Sequence, residues 1–171
     1  MAILDAFAVL SDRQLFEFSA ATTTITGDNT IDLGPTGLDK WATNKPMYAG
    51  DWSVKNLVLT VDLLEVIAWP AVSRTLSLRL YSVNNSNKTG GVRVLQPSPT
   101  DIKTGDIKTN FYDIYGPPIR LWTVAVPMLF RRYIYWELNV PVTGIEEFDA
   151  YIQAHISLDS TQLPSNSYAL A

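Results

Sequence analysis

One stretch of the chain carries the side chains best suited to chemistry. Residues 148–159 read FDAYIQAHISLD and hold the only histidine, His155, on the same side as Tyr151, Ser157 and Asp159. An imidazole beside hydroxyls and a carboxylate is the raw material of Ser/His/Asp nucleophilic catalysis. A lone histidine on the polar side of a strand is more simply a solvated or hydrogen-bonded one, and that is the preferred reading. Just upstream, Glu146, Glu147 and Asp149 gather three carboxylates. Glycoside hydrolysis needs two carboxylates at a controlled separation, and calcium needs a loop of spaced oxygen ligands. The spacing matches no cation loop, so the cluster reads as a solvated turn.

Stronger signatures are missing from the sequence. It has no Gly-x-Ser-x-Gly elbow, no Gly-x-x-x-x-Gly-Lys phosphate loop and no His-Glu-x-x-His pair. A single histidine excludes a multi-histidine metal site within one chain. The absence of cysteine excludes disulfides, thiolate metal sites and a cysteine nucleophile. The expectation is a protein that is not an enzyme, with no catalytic, cofactor-binding or metal-binding residues.

Charge narrows the partners. Lys and Arg number 13 against 17 Asp and Glu, a net charge of −4, and Arg131-Arg132 is the one adjacent basic pair. Binding to phosphate backbones needs a basic footprint, so nucleic acid is not an expected partner. No apolar run reaches the roughly 18 residues of a membrane span, so neither is a membrane. The opening residues lack a basic region before the apolar ones and carry Asp5, which reads as mature protein made in a cytoplasm.

The elements that must position these residues read as strands. In 148–159, Phe148, Ala150, Ile152, Ala154, Ile156 and Leu158 fall on one side and polar residues on the other. That is a period of two over twelve residues, which predicts a strand with one buried face. Similar strands are predicted over 54–64 (Leu57, Leu59, Val61 and Leu63 on one face), 75–83 (Leu76, Leu78 and Leu80 inward), 119–126 and 132–140 (Ile134, Trp136, Leu138 and Val140 inward). Short strands are predicted over the threonine-rich 19–26, 30–33 and 92–95. The 132–140 and 148–159 strands are separated by about seven residues and are expected to pair antiparallel. Asn84 to Gly91 is the plainest turn. Asp-Ile-Lys-Thr occurs at 101–104 and again at 106–109, read as two short polar segments about Gly105. These features predict one all-β domain over 1–171, a jelly roll or β-sandwich of about eight antiparallel strands. Extended arms are expected at the N-terminus (1–18) and the C-terminus (160–171).

Two regions offer contact residues. Residues 1–18 are the least strand-like part. They read as an arm, as a strand packed on their own domain, or as a short amphipathic helix broken near Ser11-Asp12. Leu4, Phe7, Leu10 and Leu15 supply its apolar positions. The loop from Gly34 to Trp52 carries Trp41, Tyr48 and Trp52, and aromatic residues are enriched at interface hot spots. These seven are the candidate interface residues.

The wording of both ends resembles the cement (decoration) proteins on the heads of tailed bacteriophages. At the start these are the Ile-Leu-Asp opening, Ser11-Asp12, and TIDLG at 30–34. At the close they are PMLFRRYIYWEL at 127–138 and AHISLD at 154–159. The stretches 35–52 and 84–118 depart from the family in length and wording. The resemblance implies a jelly-roll protein on the outer surface of an assembled shell in the virion. It implies binding to the major capsid protein and self-association as a homo-oligomer, a dimer before a trimer. The role implied is mechanical, stabilising the head against internal DNA pressure. The competing reading is a jelly-roll carbohydrate- or receptor-binding module, with Trp122, Tyr133, Tyr135 and Tyr151 as contributors to a stacking face. Outward aromatics aligned on one sheet face would favour that reading.

Overall fold

The apolar alternation is realised as two packed sheets in the computed structural model, which describes residues 9–32, 57–93, 99–126, 132–157 and 168–169. The strands are β1 (Val9–Phe18), β2 (Thr24–Thr26), β3 (Ile31–Asp32), β4 (Leu57–Ala68), β5 (Thr75–Val83), β6 (Val92–Arg93), β7 (Ile102–Lys103), β8 (Ile119–Val126), β9 (Tyr133–Asn139), β10 (Phe148–Ser157) and β11 (Tyr168–Ala169). The first sheet has the order β1-β10-β4-β8-β11. The second has the order β2-β9-β5-β6, with β3 also on β9 and β7 also on β5. All pairings are antiparallel except that of β11, which runs parallel to β8. Among the described residues the first sheet has five strands, the last of them the two-residue β11, and because β2 and β3 share β9 while β6 and β7 share β5, the second has four strand positions. The chain crosses between the sheets at β1–β2, β3–β4, β4–β5, β7–β8, β8–β9 and β9–β10, a jelly-roll order, and the fold is an all-β sandwich as expected.

The core lies between the sheets. Phe16, Phe18, Leu59, Val61, Leu63, Ile152 and Ile156 of the first sheet meet Leu76, Leu78, Leu80, Ile134, Trp136 and Leu138 of the second, all buried. Phe16 packs on Trp136 with ring centroids 5.3 Å apart, and Phe18 on Phe148 at 6.0 Å. Each large side chain so buried contributes about 1.5–3 kcal/mol. β10 takes an interior place in its sheet, between β1 and β4. Its inward Phe148, Ala150, Ile152, Ala154 and Ile156 are all buried, the face the sequence predicts.

The structure corrects four expectations. First, β9 and β10 do not pair; they lie in opposite sheets. Each has one apolar face, and facing across the sandwich buries that face as well as pairing in a sheet would. The link between them carries the chain across, with Val140 and Val142 buried along the way. Second, residues 9–18 are a sheet strand and not an arm. The break at Ser11-Asp12 is an irregularity in the β1–β10 register, with Arg13 at φ 47°. Third, residues 104–115 are helical, in three short pieces: Thr104–Ile107, the π-helical Lys108–Tyr112 and Asp113–Tyr115. The first Asp-Ile-Lys-Thr copy supplies β7 and the second is helical, so Ile102 packs on the core from a strand and Ile107 is buried from a helix. Fourth, β4 continues to Ala68, leaving Ile67 57% exposed while Val66 packs on the core.

Register fixes the ends of the sandwich. Val9 pairs with His155, Ser157 with Val58, Leu57 with Val126, and Asp32 with Tyr133. The two sheets are tied together near this end by the Asn29 N–H donating to the Leu10 carbonyl and by the Trp136 indole N–H donating to the Ser11 hydroxyl. Val9, Asp32, Leu57, Val126, Arg132 and Ser157 therefore gather at one end. These residues border 1–8, 33–56 and 127–131 and the start of 158–167, whose other end meets Tyr168 beside Ile119.

Candidate functional site

Three adjacent strands of the first sheet build a buried polar cluster on the face turned away from the core. β4 interrupts its apolar run with Thr60 and Asp62, β8 begins with Ile119-Arg120, and β10 carries His155. Register places His155 opposite Thr60 and Arg120 opposite Asp62. A bulge in β8 between these two rows leaves Leu121 unmatched, so both Leu121 and Trp122 reach the core while Arg120 stays beside Asp62. The Arg120 Nε donates to Asp62 Oδ1 at 2.5 Å and Nη2 to Oδ2 at 3.3 Å. Arg120 is 1% exposed, and Asp62 and His155 are 5% exposed. Three polar atoms here have no hydrogen-bond partner among the described residues: Thr60 Oγ1, Arg120 Nη1 and His155 Nδ1.

The electrostatics follow from burial. Removal from water holds the His155 imidazole below its ordinary pKa; the Asp62 carboxylate pulls it upward and the Arg120 guanidinium pushes it down. The histidine is therefore buried and not solvated, and its Nδ1 has no hydrogen-bond partner among the described residues. Its charged neighbours come from β4 and β8 and not from its own strand. The sequence signal for this site is one acid within 57–64 and one base within 119–126, two mainly apolar stretches with no other charged residue.

The acidic cluster divides by environment. Glu146 pairs with Arg74, whose Nη2 also donates to Thr143 Oγ1 at 2.9 Å. Asp149 lies directly opposite Glu17 on β1. Burial first, then the charges of Glu147 and Glu17, raise the Asp149 pKa. Among the described residues no group of three His, Cys, Asp or Glu could hold a metal ion. No helix among them is long and apolar enough to cross a membrane.

Of the seven candidate interface residues, Leu10 and Leu15 lie in β1. Leu10 is fully buried in the chain's own core, so a partner cannot reach it in the folded protein; Leu15 is half-buried. Leu4, Phe7, Trp41, Tyr48 and Trp52 lie outside the described residues.

The proposed stacking face also resolves into separate places. Tyr133 and Tyr135, with Tyr81, do line the outer face of the second sheet, because Tyr81 pairs with Tyr135 and Val83 with Tyr133. Their rings are engaged, however. Tyr81 and Tyr135 stack on each other at 5.0 Å, Tyr135 is 5% exposed, and the Arg132 guanidinium sits 5.0 Å from the centre of the Tyr133 ring. Tyr151 belongs to the other sheet, beneath Arg13 at 4.9 Å. Trp122 is 4% exposed, with its indole N–H donated to the Thr100 carbonyl at 3.0 Å. It forms one wall of an open cleft of about 490 Å³ whose other side includes Asp101, Lys103 and Asp106. No family model matches the chain, and no curated protein matches it.

Proposed function

We propose that the chain is a structural virion protein that binds the outside of an assembled phage head and cements adjacent major capsid protein subunits. The observation that carries this reading is topological. The segments 1–8 and 33–56, which hold Leu4, Phe7, Trp41, Tyr48 and Trp52, join the sandwich at one end. A rigid body with its adhesive segments joined at one end suits a protein that grips a surface. The resemblance of the chain's ends to phage cement proteins points the same way. A protein that binds only the assembled lattice stabilises that lattice by mass action. A self-complementary patch would serve for pairing with a second copy.

The carbohydrate-binding alternative needs exposed ring faces for sugars to stack on. The tyrosines aligned on the second sheet are engaged by Arg132 or by each other, so that reading stands second. Purified protein added to capsids lacking it is expected to saturate at an integer ratio to the major capsid protein. It should ignore unassembled subunits, and its solution mass should be that of a dimer. Absence of shell binding, or binding to free glycans, would sink the proposal.

A further inference from the structure

We propose that His155, on the same face as the Arg120–Asp62 pair and two residue rows from it, is an acid-sensitive latch in the β10, β4 and β8 strands of the first sheet. The arrangement rests on position. His155 and Arg120 occupy the same outward face of three adjacent strands, two residue rows apart, with Asp62 diagonal to His155 and opposite Arg120. The ion pair is already balanced, one cation against one anion, and Arg120 has spent Nε and Nη2 on Asp62. A proton on His155 would add a second cation to a site removed from water. Among the described residues no hydrogen-bond acceptor stands at His155 Nδ1 to receive it, and the nearby Asp62 carboxylate is engaged by Arg120.

Each neighbouring element contributes to this balance. β4 contributes Thr60 and Asp62, β8 contributes Arg120, and β1 places the apolar Val9 opposite His155. The next charges along the face, Arg13 and Glu65, pair with each other at 2.8 Å beside Tyr151. Among the described residues, therefore, nothing else stands ready to neutralise an imidazolium. The buried neutral form fits the folded sheet, and the charged form is accommodated better once the sheet opens to water.

The direction of the pH dependence follows. Because burial lowers the folded-state pKa of His155, the unfolded chain takes up this proton first as pH falls. The stability owed to the neutral imidazole is complete above the unfolded pKa of about 6.5. It is lost progressively as pH falls from there toward the lowered folded value. In that interval the folded-to-unfolded ratio drops by up to about tenfold per pH unit from this one group.

A single histidine makes the test direct, since its ring proton resonances in the intact protein report one group. We expect the folded imidazole to titrate below the ordinary histidine value. We also expect the thermal midpoint to fall between about pH 7.5 and about pH 5, a range in which few carboxylates titrate. His155→Gln, which cannot titrate, should remove that fall. An imidazole titrating at or above about 6.5, or a His155→Gln protein with the same pH dependence as the parent, would overturn the latch. If His155→Gln fails to fold, the resonance titration of the parent protein alone decides.

Discussion

The Arg120–Asp62 pair shows how far a charge can be buried when its partner arrives on the next strand. An ion pair removed from water gains little net stability over an apolar pair, but either partner left alone is costly. Asp62→Leu or Arg120→Met alone is expected to destabilise the fold by about 3–5 kcal/mol, while the double variant recovers most of that loss. Urea denaturation of the three variants measures the coupling; losses that simply added in the double variant would refute it. A second residue-scale prediction concerns Asp149, which faces Glu17 directly across β1 and β10. Like charges in register disfavour pairing, so Asp149→Asn should stabilise the protein at neutral pH by about 0.2–1 kcal/mol. The folded pKa of Asp149 is raised, so the folded state takes up this proton more readily than the unfolded chain. The parent should therefore close the gap to the Asn variant as pH falls through that value, which thermal midpoints against pH would reveal.

Among the elements, β1 depends on a contact that pattern alone does not announce. The Trp136 indole N–H donates to the Ser11 hydroxyl at 3.0 Å, and the Gly27 N–H donates to the Trp136 carbonyl at 2.9 Å. Gly27 lies so close that an added Cβ would overlap the Trp136 ring and crowd the Ser11 hydroxyl. Gly27→Ala should cost about 1–3 kcal/mol through this overpacking, measured as a fall in denaturation midpoint with an unchanged denaturant slope. Lys88 braces the same turn by donating to the Gly27 and Asp28 carbonyls at 2.6 and 3.2 Å. The turn after β5 thus supports the turn after β2, although about sixty residues separate them.

For the whole molecule, the jelly-roll connections deliver strand ends from both sheets to one end of the sandwich. Among the described residues the first strand begins at Val9, so deleting residues 1–8 keeps every described strand in the chain. On the proposed function the same deletion should weaken binding to capsids by at least about tenfold, equivalent to about 1.4 kcal/mol. Copies bound per shell, measured beside the thermal midpoint, separate lost contact from lost fold. Unchanged capsid binding would show that these residues are not part of the grip.

Alternation in the sequence was enough to determine that the chain is an all-β sandwich and which face of β5, β9 and β10 points inward. Side chains alternate across a strand, and apolar ones leave water wherever a second sheet can cover them. Alternation is silent about which strands are neighbours. β9 and β10 have the same apolar signature whether they pair in one sheet or face each other across the core, and only the tertiary structure put them in opposite sheets. It is equally silent about burial of the second face. Thr60, Asp62 and His155 occupy polar positions in their patterns, yet all are buried. The two copies of Asp-Ile-Lys-Thr became strand and helix for a related reason. Propensity is weak over four residues, and the site each isoleucine had to fill decided the outcome.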